Sequence, residues 1–353
     1  MASKRSTSTK KKIIKKTEYK LRKGKALVLR TCDKDLRSYN GFQWPKSGFV
    51  KCTDWVASKE CGNGLHGLLW GEGDGSLLST AADAKWLVVE IDLSQAIDLG
   101  DKVKFPCGEV VFVGDVFTAT EFIKKYSGPG ISVAYSTNTG GDSSKNTGGY
   151  SSKNTGGDSS TNTGEDSSKN TGGNYSTNTG GYSSTNTGGY SSKNTGGNYS
   201  TNTGGYSSTN TGGYSSTNTG GYSSKNTGGN YSTNTGGDSS KNTGGNYSTN
   251  TGGDSSKNTG GYSSKNTGGN YSTNTGGYSS TNTGGYSSTN TGGYSSKNTG
   301  GHSSKVKGGD KSILMLSWWD GLRERISIGY VGEKGIEPNV FYTCDDKGRL
   351  VKA

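Results

Sequence analysis

The chain is 353 residues long, contains 62 glycines and carries a formal net charge of +12. Between Ser136 and Lys305 there is no Ala, Val, Leu, Ile, Met, Phe, Trp or Cys, which excludes an oily core over almost half its length. No stretch approaches a membrane span, and Cys32, Cys52, Cys61, Cys107 and Cys344 form an odd set without paired metal-type spacing, which points to reduced thiols and not to a disulfide framework. Residues 1–23 hold ten Lys or Arg against one acid, Glu18. They read as a solvated, disordered arm. The alternative is an arm that settles on a polyanion, nucleic acid or an acidic surface, with salt-sensitive affinity. Ile13 and Ile14 are its only strongly apolar residues, too few for a signal peptide, so the expected location is cytoplasmic, in a host cytoplasm or a virion.

Residues 24–130 read as a small α+β domain. Lys25 to Arg30 and Lys85 to Asp92 are the first and strongest strands. Lys102 to Phe105 and Glu109 to Val113 flank Pro106-Cys107-Gly108, which predicts a hairpin turn, and Thr118 to Tyr126 predicts a short helix before Gly128-Pro129-Gly130. Trp44, Trp55, Trp70 and Trp86 are the expected core.

From Asn138 to Thr299 the pair Asn-Thr recurs every eight residues, twenty-one times, without insertion or deletion. Composition alone would make residues 131–305 disordered; an unbroken register argues for stacked units that supply one another's hydrogen bonds. The unit is Gly-Gly-Tyr-Ser-Ser-Thr/Lys-Asn-Thr, as in Gly180 to Thr187. Gly-Gly suits positive φ at a corner and Ser-Thr-Asn-Thr suits a strand, so each octapeptide is one strand and one turn, and two close a coil. The fold class is therefore mainly β, a β-solenoid between a small α+β domain and a small β cap. Roughly ten coils at ~4.8 Å make a rod of ~50 Å.

Strand alternation turns Asn inward and the residues on either side of it outward. Asn186, Asn202, Asn218, Asn234 and Asn250 are candidates for a buried amide ladder. If alternate octapeptides share a face, one face keeps five complete Thr-x-Thr ranks: Thr185 and Thr187, Thr201 and Thr203, Thr217 and Thr219, Thr233 and Thr235, Thr249 and Thr251. The other face is broken by lysine, since nine units carry Lys in place of the first Thr. Tyr182, Tyr190, Tyr206, Tyr214 and Tyr222 are expected to stack along a coil edge, where they either brace the edge or form a strip for self-association. Residues 306–353 predict a hairpin, Ser312 to Trp319 and Arg325 to Val331 about Asp320-Gly321, then a strand pair, Val340 to Thr343 and Arg349 to Lys352. Both ends can cap the rod against edge aggregation.

Gly181 to Thr187, Gly-Tyr-Ser-Ser-Thr-Asn-Thr, resembles the octapeptide of bacterial ice-nucleation proteins. That resemblance implies sixteen-residue coils, Thr-x-Thr ranks that order water or ice, and tyrosine ladders at a lateral interface. The lysine-substituted units depart from it and leave any water-ordering patch small and one-sided. The layout also resembles phage and bacterial proteins with an N-terminal domain of unknown function, an octapeptide array and a short β C-terminus. This likeness is carried by Gly41-Phe42-Gln43-Trp44, Asp54-Trp55, Cys61 to Gly67, Lys102 to Gly114 and Gly332 to Tyr342. It implies a mobile-element origin and assigns no catalytic role.

Cys61 and His66 lie five apart in a glycine-rich loop, and Glu90 or Asp92 could complete a nucleophile, base and orienter. A lone Cys with one nearby His is more often structural, Gly71 to Gly75 lacks the Lys of a phosphate loop, and no cofactor is implied. The reading is a non-catalytic structural, spacer or surface-binding rod. Its alternatives are a water-ordering protein and an enzyme or effector domain on a repeat carrier.

Overall fold

A computed structural model describes residues 18–128 and 130–353. Most of the basic arm, residues 1–17, lies outside the described residues.

Seven strands build the N-terminal sheet: β1 (Lys25–Cys32), β2 (Gly48–Lys51), β3 (Leu65–Leu69), β4 (Lys85–Asp92), β5 (Ile97–Asp98), β6 (Val103–Phe105) and β7 (Cys107–Gly114), in the order β2-β7-β4-β1-β3-β6-β5. The apolar runs of β1 and β4 pair along their whole length and are buried on both faces. Ala26, Val28, Val89 and Ile91 face a cluster with Trp44, Val103 and Phe105. Leu27, Leu29 and Val88 face Ala119 and Ile123 of the helix α1 (Val116–Tyr126). That helix starts two residues before the expected Thr118, because Asp115 caps it and forms a capping box with Thr118. Trp44 and Trp86 are buried, while Trp55 and Trp70 are half-buried at the cluster margins.

The expected hairpin at Pro106-Cys107-Gly108 does not form. β6 pairs with β3 and β5, whereas β7 pairs with β4 and β2. Only Pro106 separates them, although β4, β1 and β3 lie between them in the sheet. One residue cannot span four strand spacings of ~4.8 Å, so the sheet is rolled until its ends converge. The Cys52 amide closes the seam, donating to the Pro106 carbonyl at 3.0 Å.

Beyond α1 the chain winds into a β-solenoid of about 11 turns with sixteen-residue coils. Short strands from Thr137–Thr139 to Lys305–Lys307 alternate between two parallel sheets, each strand pairing with the one sixteen residues on. The corners correct the expected glycine geometry. Positive φ falls on the fourth residue of the unit, Ser183 at 52° or Tyr175 at 57°, and not on the glycine pair. The glycines are there because of crowding: a Cβ on Gly180 would lie 2.4 Å from Ser184 Cβ, and one on Gly181 would lie 2.1 Å from Asp166 Oδ1 in the coil below. Close approach of backbone turns, not left-handed φ, fixes Gly-Gly.

Both ends convert this polar stack into apolar packing. At the start, Val133 and Ala134 join the α1 cluster, the Ala134 amide donates to the Gly71 carbonyl at 2.9 Å, and Tyr135 packs edge-on against Trp86. At the finish, Val306 takes the inward register of Asn290 and Leu314 that of Asn298. They pack with Leu316, Val331 and Tyr342. The change from array to cap therefore falls inside the strand Lys305–Lys307. Ile313–Trp319 adds a parallel strand, Glu324–Tyr330 folds back on it through a turn in which Asp320 accepts the Leu322 and Arg323 amides, and Tyr342–Cys344 pairs with Leu350–Lys352.

Candidate functional site

The interior of the rod is built from carboxamides. Asn186, Asn202, Asn218, Asn234 and Asn250 are fully buried, and each Nδ2 donates to the Asn Oδ1 one coil on at 2.8 or 2.9 Å. The same nitrogen of Asn186 also reaches Ser184 Oγ at 3.2 Å and the Thr195 carbonyl of the facing sheet at 2.9 Å. Each amide is thereby satisfied along the axis and across the rod, which is what a buried polar interior requires.

On the outside, Thr185, Thr201, Thr217, Thr233 and Thr249 stand in direct register on five successive coils. Thr187, Thr203, Thr219, Thr235 and Thr251 form the parallel column. Lys169 bounds the patch below and Lys265 above. On the opposite sheet, Lys225, Lys241 and Lys257 stack on consecutive coils.

The tyrosines do not form one strip. A coil has two corners, so Tyr182 and Tyr214 lie on one edge of the rod while Tyr190, Tyr206 and Tyr222 lie on the other. On the first edge rings run without a gap from Tyr182 through Tyr199 and Tyr214 to Tyr294, with centroids 4.8 to 5.7 Å apart, and Lys311 covers the last ring. Tyr199 sits one position later in its unit than Tyr182, yet its ring keeps the stack. The second edge runs from Tyr175 to Tyr222, breaks at Asp238 and Asp254, and resumes at Tyr271, Tyr286 and His302.

In the N-terminal domain, Cys61 and His66 border one cavity of about 540 Å³. Cys61 is exposed and His66 half-buried. The imagined orienters are committed elsewhere: Glu90 accepts from Tyr19 and Arg22, and Asp92 pairs with Lys25 at 3.0 Å and with Ser94. A triad of Cys61, His66 and either carboxylate is therefore not assembled. Burial, then the charges of Lys102, Arg30 and Lys104, push the His66 imidazole below its ordinary pKa. Arg30 and Lys102 on the same wall escaped the sequence reading; the only signal was a cation inside the apolar run of β1. Among the described residues no cluster of three His, Cys, Asp or Glu could hold a metal ion, and no helix is long and apolar enough to cross a membrane.

Residues 26–125 match the family described as Domain of unknown function (DUF7666). The repeat region is similar to ice nucleation proteins of Pseudomonas syringae pv. syringae, 44% identical over 117 residues, and of Xanthomonas campestris pv. translucens, 42% identical over 101. It is likewise similar to ice nucleation protein InaU of Pantoea ananas, 43% identical over 105 residues. These matches cover 33%, 28% and 29% of this chain but 10%, 6% and 10% of those proteins, so the chain spans a tenth or less of the length of these curated relatives. The relatives are bacterial and lend no support to a phage origin. No solved structure matches the chain. The chain thus joins an N-terminal domain that matches the DUF7666 family model to a β-solenoid array whose repeats resemble those of bacterial ice nucleation proteins.

Proposed function

We propose that the chain acts as a rigid, non-catalytic rod that holds its terminal domains apart and presents ordered side-chain columns to a surface. The observation that carries this reading is the unbroken sixteen-residue register of both sheets, in which every inward Asn is spent on cohesion and every Thr, Lys and Tyr column is left on the outside. Two tyrosine edges supply apolar strips suited to lateral contact, and basic residues 1–23 add attraction to acidic surfaces. Hydrogen exchange on the full chain tests the rod: slow exchange of the strand amides from Thr137 to Lys307 supports it, and fast uniform exchange rejects it.

The Thr column from Thr185 to Thr249 favours a second reading, a water-ordering face, as does the similarity to ice nucleation proteins. Its five ranks rise about 20 Å at ~4.8 Å per coil. Ice embryos shrink as supercooling deepens, so a face this short should work by adsorbing to crystals or by nucleating only far below the melting point. Thermal hysteresis and droplet freezing decide. Activity that Thr217→Lys with Thr233→Lys removes supports the second reading, and inactivity of the wild type removes it.

A further inference from the structure

The cavity of the N-terminal domain has a charge balance that its own residues do not explain. Arg30, His66 and Lys102 border it, and Asp54 is the one carboxylate on its wall among the described residues. The hydrogen bonds of Arg30 all go to neutral acceptors: Ser38 Oγ at 2.9 Å, the His66 carbonyl at 3.1 Å and the Thr31 carbonyl at 3.5 Å. Its guanidinium lies 3.9 Å from the Trp44 ring centroid, and Trp44 in turn donates to the same Ser38 hydroxyl at 2.8 Å. Stacking and hydrogen bonding fix the plane of the cation without neutralising it. Among the described residues Lys102 finds only Asp101, at 4.0 Å. Lys104, completely buried behind the same loop, spends its ammonium on the Glu60 carbonyl at 2.8 Å and on Ser58.

Two nitrogens in this cluster are left over. Among the described residues, Arg30 Nε and His66 Nε2 are the buried side-chain polar atoms with no hydrogen-bond partner. Buried polar groups are almost always satisfied, and both orphans belong to side chains that border this one cavity: Arg30 Nε can only donate, and His66 Nε2 donates once the imidazole is protonated, so an acceptor that settles here would answer both. The loop that closes this wall has a specified shape: Gly62 and Gly64 supply positive φ without steric cost, Asn63 holds a φ of 48°, and a Cβ on Gly64 would meet Lys104 Cγ at 2.8 Å. Phe42 and Leu78 complete the lining with apolar surface, and a cavity of about 540 Å³ is of the size that takes a metabolite.

We propose that this cavity binds a small organic anion, bearing a carboxylate or a phosphate, whose acceptor oxygens engage Arg30, His66 and Lys102. The anion supplies the counter-charge that the wall lacks, and its apolar part rests against Phe42 and Leu78. Nothing in this assignment depends on the rod.

The full chain has two histidines, His66 and His302, and the second stacks on Tyr286 near the far end of the array. Imidazole signals in the nuclear magnetic resonance spectrum therefore give a reporter and an internal control in one molecule. Inorganic phosphate, citrate and adenosine monophosphate are the probes. The expected result is a saturable shift of the His66 signal with at least one of them, an upward move of the His66 titration midpoint in the complex, and no change at His302. Lys102→Gln, a half-buried residue outside the hydrophobic core, should weaken that binding by roughly tenfold or more, as should Arg30→Lys, which keeps charge and loses the planar fork. If Arg30→Lys fails to fold, Lys102→Gln decides alone. Three outcomes overturn the proposal: none of the probes moves His66, both histidines move together, or Lys102→Gln binds like the wild type. The relative strength of the three probes distinguishes a carboxylate from a phosphate ligand and a bare anion from one with an organic body.

Discussion

The Asn186 carboxamide donates to the Asn202 carboxamide at 2.9 Å, one coil along the axis, and does so while also holding the facing wall through the Thr195 carbonyl. A single side chain thus closes its own coil and fastens it to the next. This double duty is why the interior coheres without any aliphatic residue.

Breaking one rung should therefore be costly. Asn218→Ala leaves Asn234 Oδ1 without its donor, takes the axial acceptor from Asn202 Nδ2, which keeps Ser200 Oγ and the Thr211 carbonyl, and removes one of the two bonds accepted by the Thr227 carbonyl, which keeps the Gly212 amide. At about 1–3 kcal/mol for the unsatisfied Asn234 oxygen and about 0.5–1.5 kcal/mol for each of the other two lost bonds, the local penalty should reach roughly 2–6 kcal/mol before relaxation. Faster amide exchange in the strands around residues 201, 217 and 233 would register it. Asn298→Leu should cost less, because the next inward residue is already Leu314.

The corner geometry gives opposed expectations for two neighbouring positions. In Gly212→Ala the new methyl group would sit 2.4 Å from Ser216 Cβ and 3.0 Å from Ser200 Oγ, so the variant should be strongly destabilised. Ser215 has φ of 50°, where an L residue is strained, so Ser215→Gly should be neutral or stabilising by up to about 1 kcal/mol. Thermal melting of the two variants against the wild type checks both signs.

Lys225, Lys241 and Lys257 are stacked like charges at the coil spacing. Replacing all three by Thr should stabilise the array by roughly 0.2–1 kcal/mol per relieved pair, and the gain should shrink as salt is added. If the second reading of function holds, the same triple variant should also gain ice activity, since it completes a second threonine face from Thr209 to Thr289.

Acid should separate the ends from the rod. Hydrogen bonds from Ser94, then Lys25, hold Asp92 down at about 2, and the Arg323 and Leu322 amides, then Arg325, hold Asp320 at about 2. A carboxyl whose folded pKa is depressed contributes its full stability above its ordinary value, and that contribution disappears as pH falls through the folded value. Both caps should therefore loosen between about pH 4 and pH 2. The buried carboxamides and hydroxyls of the array do not titrate in that window. All six tryptophans lie outside the repeats, so tryptophan fluorescence should change across this range while the β circular dichroism signal of the array persists.

The solenoid was legible because its period is rigid: a fixed spacing of Asn and alternation about it determine which side chain turns inward, and the sixteen-residue coil then determines which threonines align. The corners were not legible in the same way. Glycine suggests positive φ, yet whether it is needed for torsion or for clearance depends on the coil below, which no single octapeptide reveals. The two tyrosine edges follow from the coil once its two corners are counted, but Tyr182 and Tyr190 look equivalent in a repeat alignment. In the N-terminal domain, Pro106-Cys107-Gly108 reads as a hairpin because local turn chemistry cannot report a sheet rolled through β4, β1 and β3. The cavity was legible only in part, as Cys61 and His66 in a glycine-rich loop and a cation in the apolar run of β1, since Arg30, His66 and Lys102 come from three separate segments.

Because two octapeptides make one coil, the surface depends on the parity of the repeat number. A duplication of two units lengthens the rod by one step and leaves every downstream residue on its own wall. A duplication of one carries all later residues across to the opposite wall, so that a threonine column would run on into lysines and the C-terminal cap would arrive half a turn out of phase. Variation in array length among relatives that keep the same faces should therefore come in even increments.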